Sequence, residues 1–171
     1  VDKSLHHTLL QGQRGMTPNY RLGEREALVV LAELPPAARY FGYMTNVFTR
    51  EAVLDTTDPV YERLTDEGAG DLLDIIFGFS PNPDRMMMIA TIGDSINNVV
   101  IEDQSTENWG QQRFFVTTPD EAMADAMTAA LDGLEGVDAS HVFTEQVGRD
   151  LVRLGYGPEA DDFITYMRYS M

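Results

Sequence analysis

The chain has no cysteine, one lysine (Lys3), one tryptophan (Trp109) and three histidines in 171 residues. Without cysteine there can be no disulfide, no thiolate metal ligand and no thiol nucleophile. The absence of cysteine suits a reducing cytosol and a disulfide-free exported protein equally. Two of the histidines, His6 and His7, are neighbours in an irregular stretch, where adjacent side chains diverge and make a poor ligand pair. That leaves His141, so the expectation is of no metal site and no cofactor. No apolar run approaches the ~20 residues of a membrane span, and no membrane insertion is expected. Positive charge is also scarce: 12 basic residues face 28 acidic ones, for a net charge of −16. Phosphate backbones and anionic lipid surfaces would repel such a chain, which removes nucleic acid from the expected partners.

What is present is a chain of one-domain length, able to bury roughly 70% of its unfolded surface. Residues 1–25 read as an irregular arm and 26–171 as the folded domain, divisible into lobes 26–111 and 112–171. "EALVVLAEL" (Glu26–Leu34) is apolar at both alternating sets of positions, the mark of a strand buried on both sides. Pro35-Pro36 stops it, and the aromatic, β-branched "ARYFGYMTNVFT" (Ala38–Thr49) is expected to pair with it across that turn. Asp58-Pro59 signals a helix start, and Leu72 to Ile76 suits a second short helix. "MMMIATI" and "NNVVIED" read as two strands, the first a two-sided buried strand or one facing a partner, and "RFFVTT" as another.

The clearest helix opens at Thr118-Pro119-Asp120-Glu121, read as a capping box with proline at the first helical position. Ala122, Met123, Ala126, Met127, Ala130, Leu131 and Leu134 form its apolar stripe, and Gly133 and Gly136 end it. "SHVFT" predicts a strand, "EQVGRDLVRLG" a short helix and "DFITYMRYS" a last strand. The fold class is therefore α+β, with a mainly antiparallel sheet and two to four helices, its C-terminal part ferredoxin-like in order.

Three patterns bear on chemistry. "TIGDSINN" puts Gly-Asp-Ser behind an apolar run, and "DASH" places Asp138 three residues before His141. The two together resemble the nucleophile and Asp-x-x-His blocks of the GDS-type (SGNH) esterases, a resemblance that implies Ser95, His141 and Asp138 as a catalytic triad. Against it, Ser95 is followed by strand-forming residues instead of a helix, and only 46 residues separate it from His141. The Gly-x-Asn-Asp block is also missing. Turn chemistry accounts for "GDSIN" without catalysis. Second, the strands "RYFGYMTNVF" and "ITYMRY" interleave aromatics with arginine, pointing to an apolar site formed by Tyr40, Tyr43 and Tyr166 with Arg39 and Arg168 on its rim. Such a site suits a small acidic or amphipathic ligand, with plain core packing as the competing reading. Third, "EDQSTEN" offers oxygens from Glu102, Asp103, Glu107 and Asn108 but lacks calcium-loop spacing, and reads as a solvated loop.

The runs "ALVVLAELPPAARYFGY" and "ATIGDSINNVVI" resemble uncharacterised bacterial exported or envelope proteins with β-rich domains. The resemblance covers Ala27 to Ile101 and implies an extracytoplasmic location and no catalytic residues. Three functions follow as expectations. The first is a non-catalytic binding or interaction domain with a small-molecule or protein partner. The second is a serine esterase, and the third a subunit of a larger assembly or oligomer, which the Val1 start and the methionine-rich strand favour.

The charge balance yields a prediction. Sixteen excess negative charges repel one another, and runs such as "EADD" and "EDQSTE" add short-range contacts. Salt shortens the Debye length from ~30 Å at 0.01 M to ~8 Å at 0.15 M, so NaCl should raise the melting temperature. Repulsion raises folded carboxyl pKa values, so stability should also rise from pH 7 towards pH 5. Thermal melts across the salt series decide it, and a falling midpoint would show that attractive pairs dominate.

Overall fold

Most of the strands come from segments rich in β-branched and aromatic residues, which fit a pleated, half-buried surface. The computed structural model describes residues 19–51, 57, 59–69, 85–91, 99–102 and 107–171. In chain order the strands are β1 (Asn19–Tyr20), β2 (Leu28–Glu33), β3 (Tyr40–Glu51), β4 (Arg85–Thr91), β5 (Val99–Ile101), β6 (Gln112–Thr118), β7 (Val142–Gln146) and β8 (Asp162–Ser170). Two α-helices are described, α1 (Pro59–Leu64) and α2 (Glu121–Asp132). Sheet A runs β1-β8-β3-β4, with β5 also on β3, and is antiparallel throughout. Sheet B runs β2-β6-β7, with β2 antiparallel to β6 and β7 parallel to it. The class is α+β.

Several sequence expectations change here. β2 and β3 do not pair: the Pro35-Pro36 corner carries the chain from sheet B to sheet A. β2 is an edge strand whose residues alternate between half-buried and exposed, so it is not covered on both sides. β7 runs parallel to β6 because α2 is the crossover between them, and a parallel neighbour requires one. β8 joins sheet A, which breaks the ferredoxin-like order.

The cap of α2 is Asp120, two residues after the expected Thr118, and its carboxylate accepts the Ala122 N–H at 3.0 Å. Thr118 instead donates its hydroxyl to the Glu26 carbonyl at 2.7 Å. Met123, Met127 and Leu131 of the stripe are half-buried, whereas Ala122, Ala126, Ala130 and Leu134 are exposed. Gly136, with φ of 79°, sits in the left-handed turn after the helix, while Gly133 at its end keeps a helical φ of −74°. No helix forms at "EQVGRDLVRLG": Glu145 and Gln146 end β7, and residues 147–155 form turns. There Arg149 donates to the Pro119 and Glu24 carbonyls, and Val147 N–H to Thr118. α1 begins at Pro59 as expected, while Leu72 to Ile76 and the "GDSIN" turn lie outside the described residues.

The two sheets face each other. Phe41, Tyr43, Val99 and Ile101 of sheet A meet Phe115 of sheet B, with Leu34, Ala38 and Trp109 closing the cluster and Val30, Ala32 and Phe143 packed beside it. Tyr43 and Phe115 stack at 4.6 Å between ring centroids, 12° from parallel. A second cluster of Leu22, Val47, Val147 and Phe163 continues the core beyond the first.

Between the sheets lies a carboxylate. Glu145 of β7 is 1% exposed. It accepts the Thr45 N–H at 2.6 Å, the Thr45 hydroxyl at 2.6 Å and the Thr117 hydroxyl at 2.8 Å. The need is local. Among the described strands, β4 ends at Thr91 opposite Asn46 and β5 begins at Val99 opposite Tyr43, so none of them pairs with Thr45 on that side. Around this group, Tyr20, Thr165 and Tyr43 complete a chain of hydroxyl hydrogen bonds.

The "EADD" run is not a repulsive patch. Asp161 and Asp162 are both fully buried. Arg50 grips Asp161 with two bonds of 2.8 and 2.7 Å, and Arg21 binds Asp162 at 2.7 Å while Thr49 holds its other oxygen. Glu26, which is exposed, is held below its ordinary range by the Tyr156 hydroxyl and then by the Gly23 N–H. It contributes stability that is present above its unfolded pKa and lost as pH falls through its folded one, below the pH 7 to 5 window.

Truncating the inter-sheet carboxylate strands a buried donor. Glu145→Ala should destabilise by about 3 kcal/mol, since the Thr45 N–H loses its acceptor. Glu145→Gln, which keeps an amide oxygen for that N–H, should lose less. Urea denaturation measures both, and a wild-type midpoint in Glu145→Ala would refute the tie between sheets.

Candidate functional site

Side-chain alternation along β3 and β8 sorts the candidate ligand residues. Gly42 pairs with Arg168 on one side and Val100 on the other, Tyr40 with Ser170 and Met44 with Tyr166. Tyr40, Tyr166 and Arg168 therefore share the face of sheet A that points away from sheet B. Tyr43 does not join them. One residue out of phase, it enters the inter-sheet core at 0% exposure and bonds the Thr117 hydroxyl at 3.1 Å. Arg39 is exposed just before β3, where its N–H binds the Ser170 carbonyl at 2.8 Å.

This outer face changes character along its length. Ile164, Asn46 and Met44 are buried, Tyr166 and Tyr40 half-buried, and Arg168 and Val100 exposed. Burial raises the Tyr166 phenol above its ordinary range, and the nearby Arg168 charge pulls it back in part. Gly42 contributes no side chain of its own to the row between Arg168 and Val100. Among the described residues no carboxylate pairs with Arg39 or Arg168, in contrast to Arg21 and Arg50 on their buried aspartates. The Asn46 side-chain amide is buried on the same face with neither Oδ1 nor Nδ2 hydrogen-bonded among the described residues. Sequence reading passed over Asn46, because a polar residue inside an apolar strand announces burial only once the register is known.

Of the esterase residues, Ser95 lies outside the described residues. Asp138 and His141 are brought together, in a short 3-10 turn that leads into β7. The His141 Nδ1 accepts the Asp138 N–H at 3.2 Å, and the Asp138 carboxylate accepts the Ser140 N–H at 2.8 Å. These are the two halves of a capping box. Ser140 hydrogen bonds hold the exposed Asp138 carboxyl below its usual range. A triad requires the opposite polarity at Nδ1, with its proton donated to the carboxylate.

An open cleft of about 410 Å³ lies where β6 and β7 end, lined by Pro119, Asp120, Glu121, Gln146 and Arg149 among others. Two of its charged groups have structural roles, Asp120 as helix cap and Arg149 on two carbonyls. In the "EDQSTEN" loop, Asn108 accepts from Arg113 at 2.9 Å, and residues 103–106 lie outside the described residues. The described residues contain no group of three or more potential metal ligands and no helix long and apolar enough to cross a membrane.

The placement of the tyrosines is testable by titration. Burial raises the Tyr20 phenol well above the ordinary value of 10.0, and raises that of Tyr43 as well. Above that pH the unfolded chain has lost phenol protons that the folded one retains, so stability should fall as pH rises past about 10. Tyrosinate absorbance should show a class of phenols that ionises only with unfolding. If all 7 tyrosines titrated together in protein still folded by circular dichroism, the burial of Tyr43 would be wrong.

Comparison with family models, with curated proteins and with solved structures gives no match for this chain, so its function is argued from this geometry.

Proposed function

We propose that this chain is a binding domain that holds a small amphipathic anion on the outer face of sheet A, at the end where β3 and β8 carry Tyr40, Tyr166 and Arg168. One observation carries the reading. In a chain of net charge −16, Arg39 and Arg168 lie at one end of one sheet with no carboxylate partner among the described residues. An acidic protein has carboxylates to spare, and unpaired guanidinium groups are fitted to bind carboxylate, sulfonate or phosphate groups from outside. The aromatic rings beside them supply apolar surface of defined shape.

The burial gradient along the face sets the orientation. The charged end of the ligand meets Arg168 and Arg39 in solvent, and its apolar body lies along Tyr166 towards Met44. Asn46 stands four residues from Gly42, about 13 Å along the strand, and its unbonded amide supplies a polar stop at the inner end. Tyr43, behind the sheet, only supports β3. Non-catalytic binding needs no nucleophile on this face, and among the described residues of β3 and β8 that share it the one serine, histidine or cysteine is Ser170.

An anilinonaphthalene sulfonate is a suitable probe, since it joins an aromatic body to one negative charge. Its affinity should fall about tenfold, roughly 1.4 kcal/mol, in Arg168→Gln and by a similar factor in Tyr166→Ala. Raising salt should weaken binding in the wild type more than in Arg168→Gln. Equal dye affinity in wild type, Arg168→Gln and Arg39→Gln would sink the proposal. Turnover of acyl esters abolished by Ser95→Ala would establish the esterase in its place.

A further inference from the structure

Away from that face, β2 ends sheet B as a strand with one free edge, since β6 is its only partner among the described strands. The direction of its backbone groups follows from one bond. Leu34 N–H binds the Gln111 carbonyl at 2.9 Å, continuing the β2–β6 register in which Leu28 faces Thr117 and Ala32 faces Arg113. Hydrogen-bonded positions alternate in an antiparallel pair, so Leu28, Val30 and Ala32 bond inward to β6. Val29, Leu31 and Glu33 then turn their N–H and C=O groups outward. The same parity sends the Val29 and Leu31 side chains to the face of sheet B opposite the core, where they are 40% and 53% exposed. α2 packs over β6 and β7 on this face and leaves the β2 strip beside it open.

Open edges of this kind are normally blunted by lysine, proline or a bulge. β2 has none of these: its sequence is LVVLAE and its register with β6 is unbroken. Outward backbone donors and acceptors and an exposed apolar side chain at every second residue are the two requirements for strand addition. Charge decides the occupant. Glu24 and Glu33 are exposed at the two ends of the strip, and a second copy of this chain would bring another 16 net negative charges to the edge. We propose that the free edge of β2 receives an extended segment of a basic partner protein, with apolar residues at alternate positions and lysine or arginine at both ends. That segment adds a fourth strand to sheet B, bonded to the outward groups of Val29 and Leu31, with its apolar side chains flanking theirs.

The probe is a synthetic peptide of alternating valine and threonine with Lys-Arg at each end, titrated against the full chain and followed by amide chemical shifts and calorimetry. Saturable binding is expected, with slowed exchange of the Val29, Leu31 and Glu33 amides. Affinity should fall about tenfold or more when the ends are Glu-Glu, and likewise in Leu31→Lys and in Val29→Lys, two exposed substitutions that leave the β6 ladder intact. Leu31→Pro removes one outward donor and no ladder bond, and should weaken binding too. Arg168→Gln should bind the peptide like wild type, which separates this edge from the anion site. The proposal fails if the basic peptide does not bind, if the acidic peptide binds as tightly, or if Leu31→Lys and Val29→Lys both retain wild-type affinity. It also fails if the chain forms dimers that Leu31→Lys disperses, since the edge would then belong to a second copy.

Discussion

The Glu145 carboxylate is the constraint around which the two sheets are arranged. On one side of β3, no described strand pairs with Thr45 between the end of β4 and the start of β5, and the Thr45 N–H turns to the interior. An unbonded donor at that depth would cost several times what an ordinary hydrogen bond contributes. The acceptor comes from the opposite sheet, from the one position of β7 that is both polar and directed inward. Meeting Thr45 and Thr117 at once fixes how far β7 advances along β6, and so sets the length of the connection through α2. The hydroxyls of Tyr20, Tyr43 and Thr165 extend the network, so β1, β3, β6, β7 and β8 each contribute a hydrogen-bonding group to this layer. A closed set of partners makes a buried charge tolerable and specifies a single alignment of the sheets.

Acidity is distributed by the same logic. Asp161 and Asp162 go inside because Arg50 and Arg21 reach them, and in doing so these pairs pin the turns before β8 to sheet A. Arg149 works on backbone carbonyls, Arg113 on Asn108 and on the Gln112 and Glu107 carbonyls. Structural duties thus absorb Arg21, Arg50, Arg113 and Arg149. Arg39 and Arg168 have no such duty in the described residues, and they coincide with the place where the outer face of sheet A passes from covered to open. The other proposed surface, the edge of β2, offers backbone groups and shape and is flanked by negative charge. The two proposed surfaces belong to different sheets and would suit ligands of opposite sign.

Sequence alone settled the identity of most elements. The apolar run of Glu26–Leu34, the aromatic and β-branched run of Ala38–Thr49, the Asp-Pro helix start at Pro59 and the apolar stripe from Ala122 to Leu134 all depend on neighbours within a few residues, and such signals are local. Composition alone likewise ruled out thiol chemistry. The tertiary structure decided everything that depends on distant partners. Pro35-Pro36 could have turned a hairpin or changed sheets, and only the packing of Phe41 and Tyr43 on Phe115 chose the second. The direction of β7, the failure of a helix after Gln146 and the capture of "DD" by two arginines rest on contacts a hundred or more residues apart in the last case. Tyr40 and Tyr43 look equivalent in the sequence, yet one residue of phase puts them on opposite faces of a sheet. Glu145 in "FTEQ" looks like any surface acid, because nothing nearby records that the N–H it must satisfy lies one hundred residues earlier in the chain.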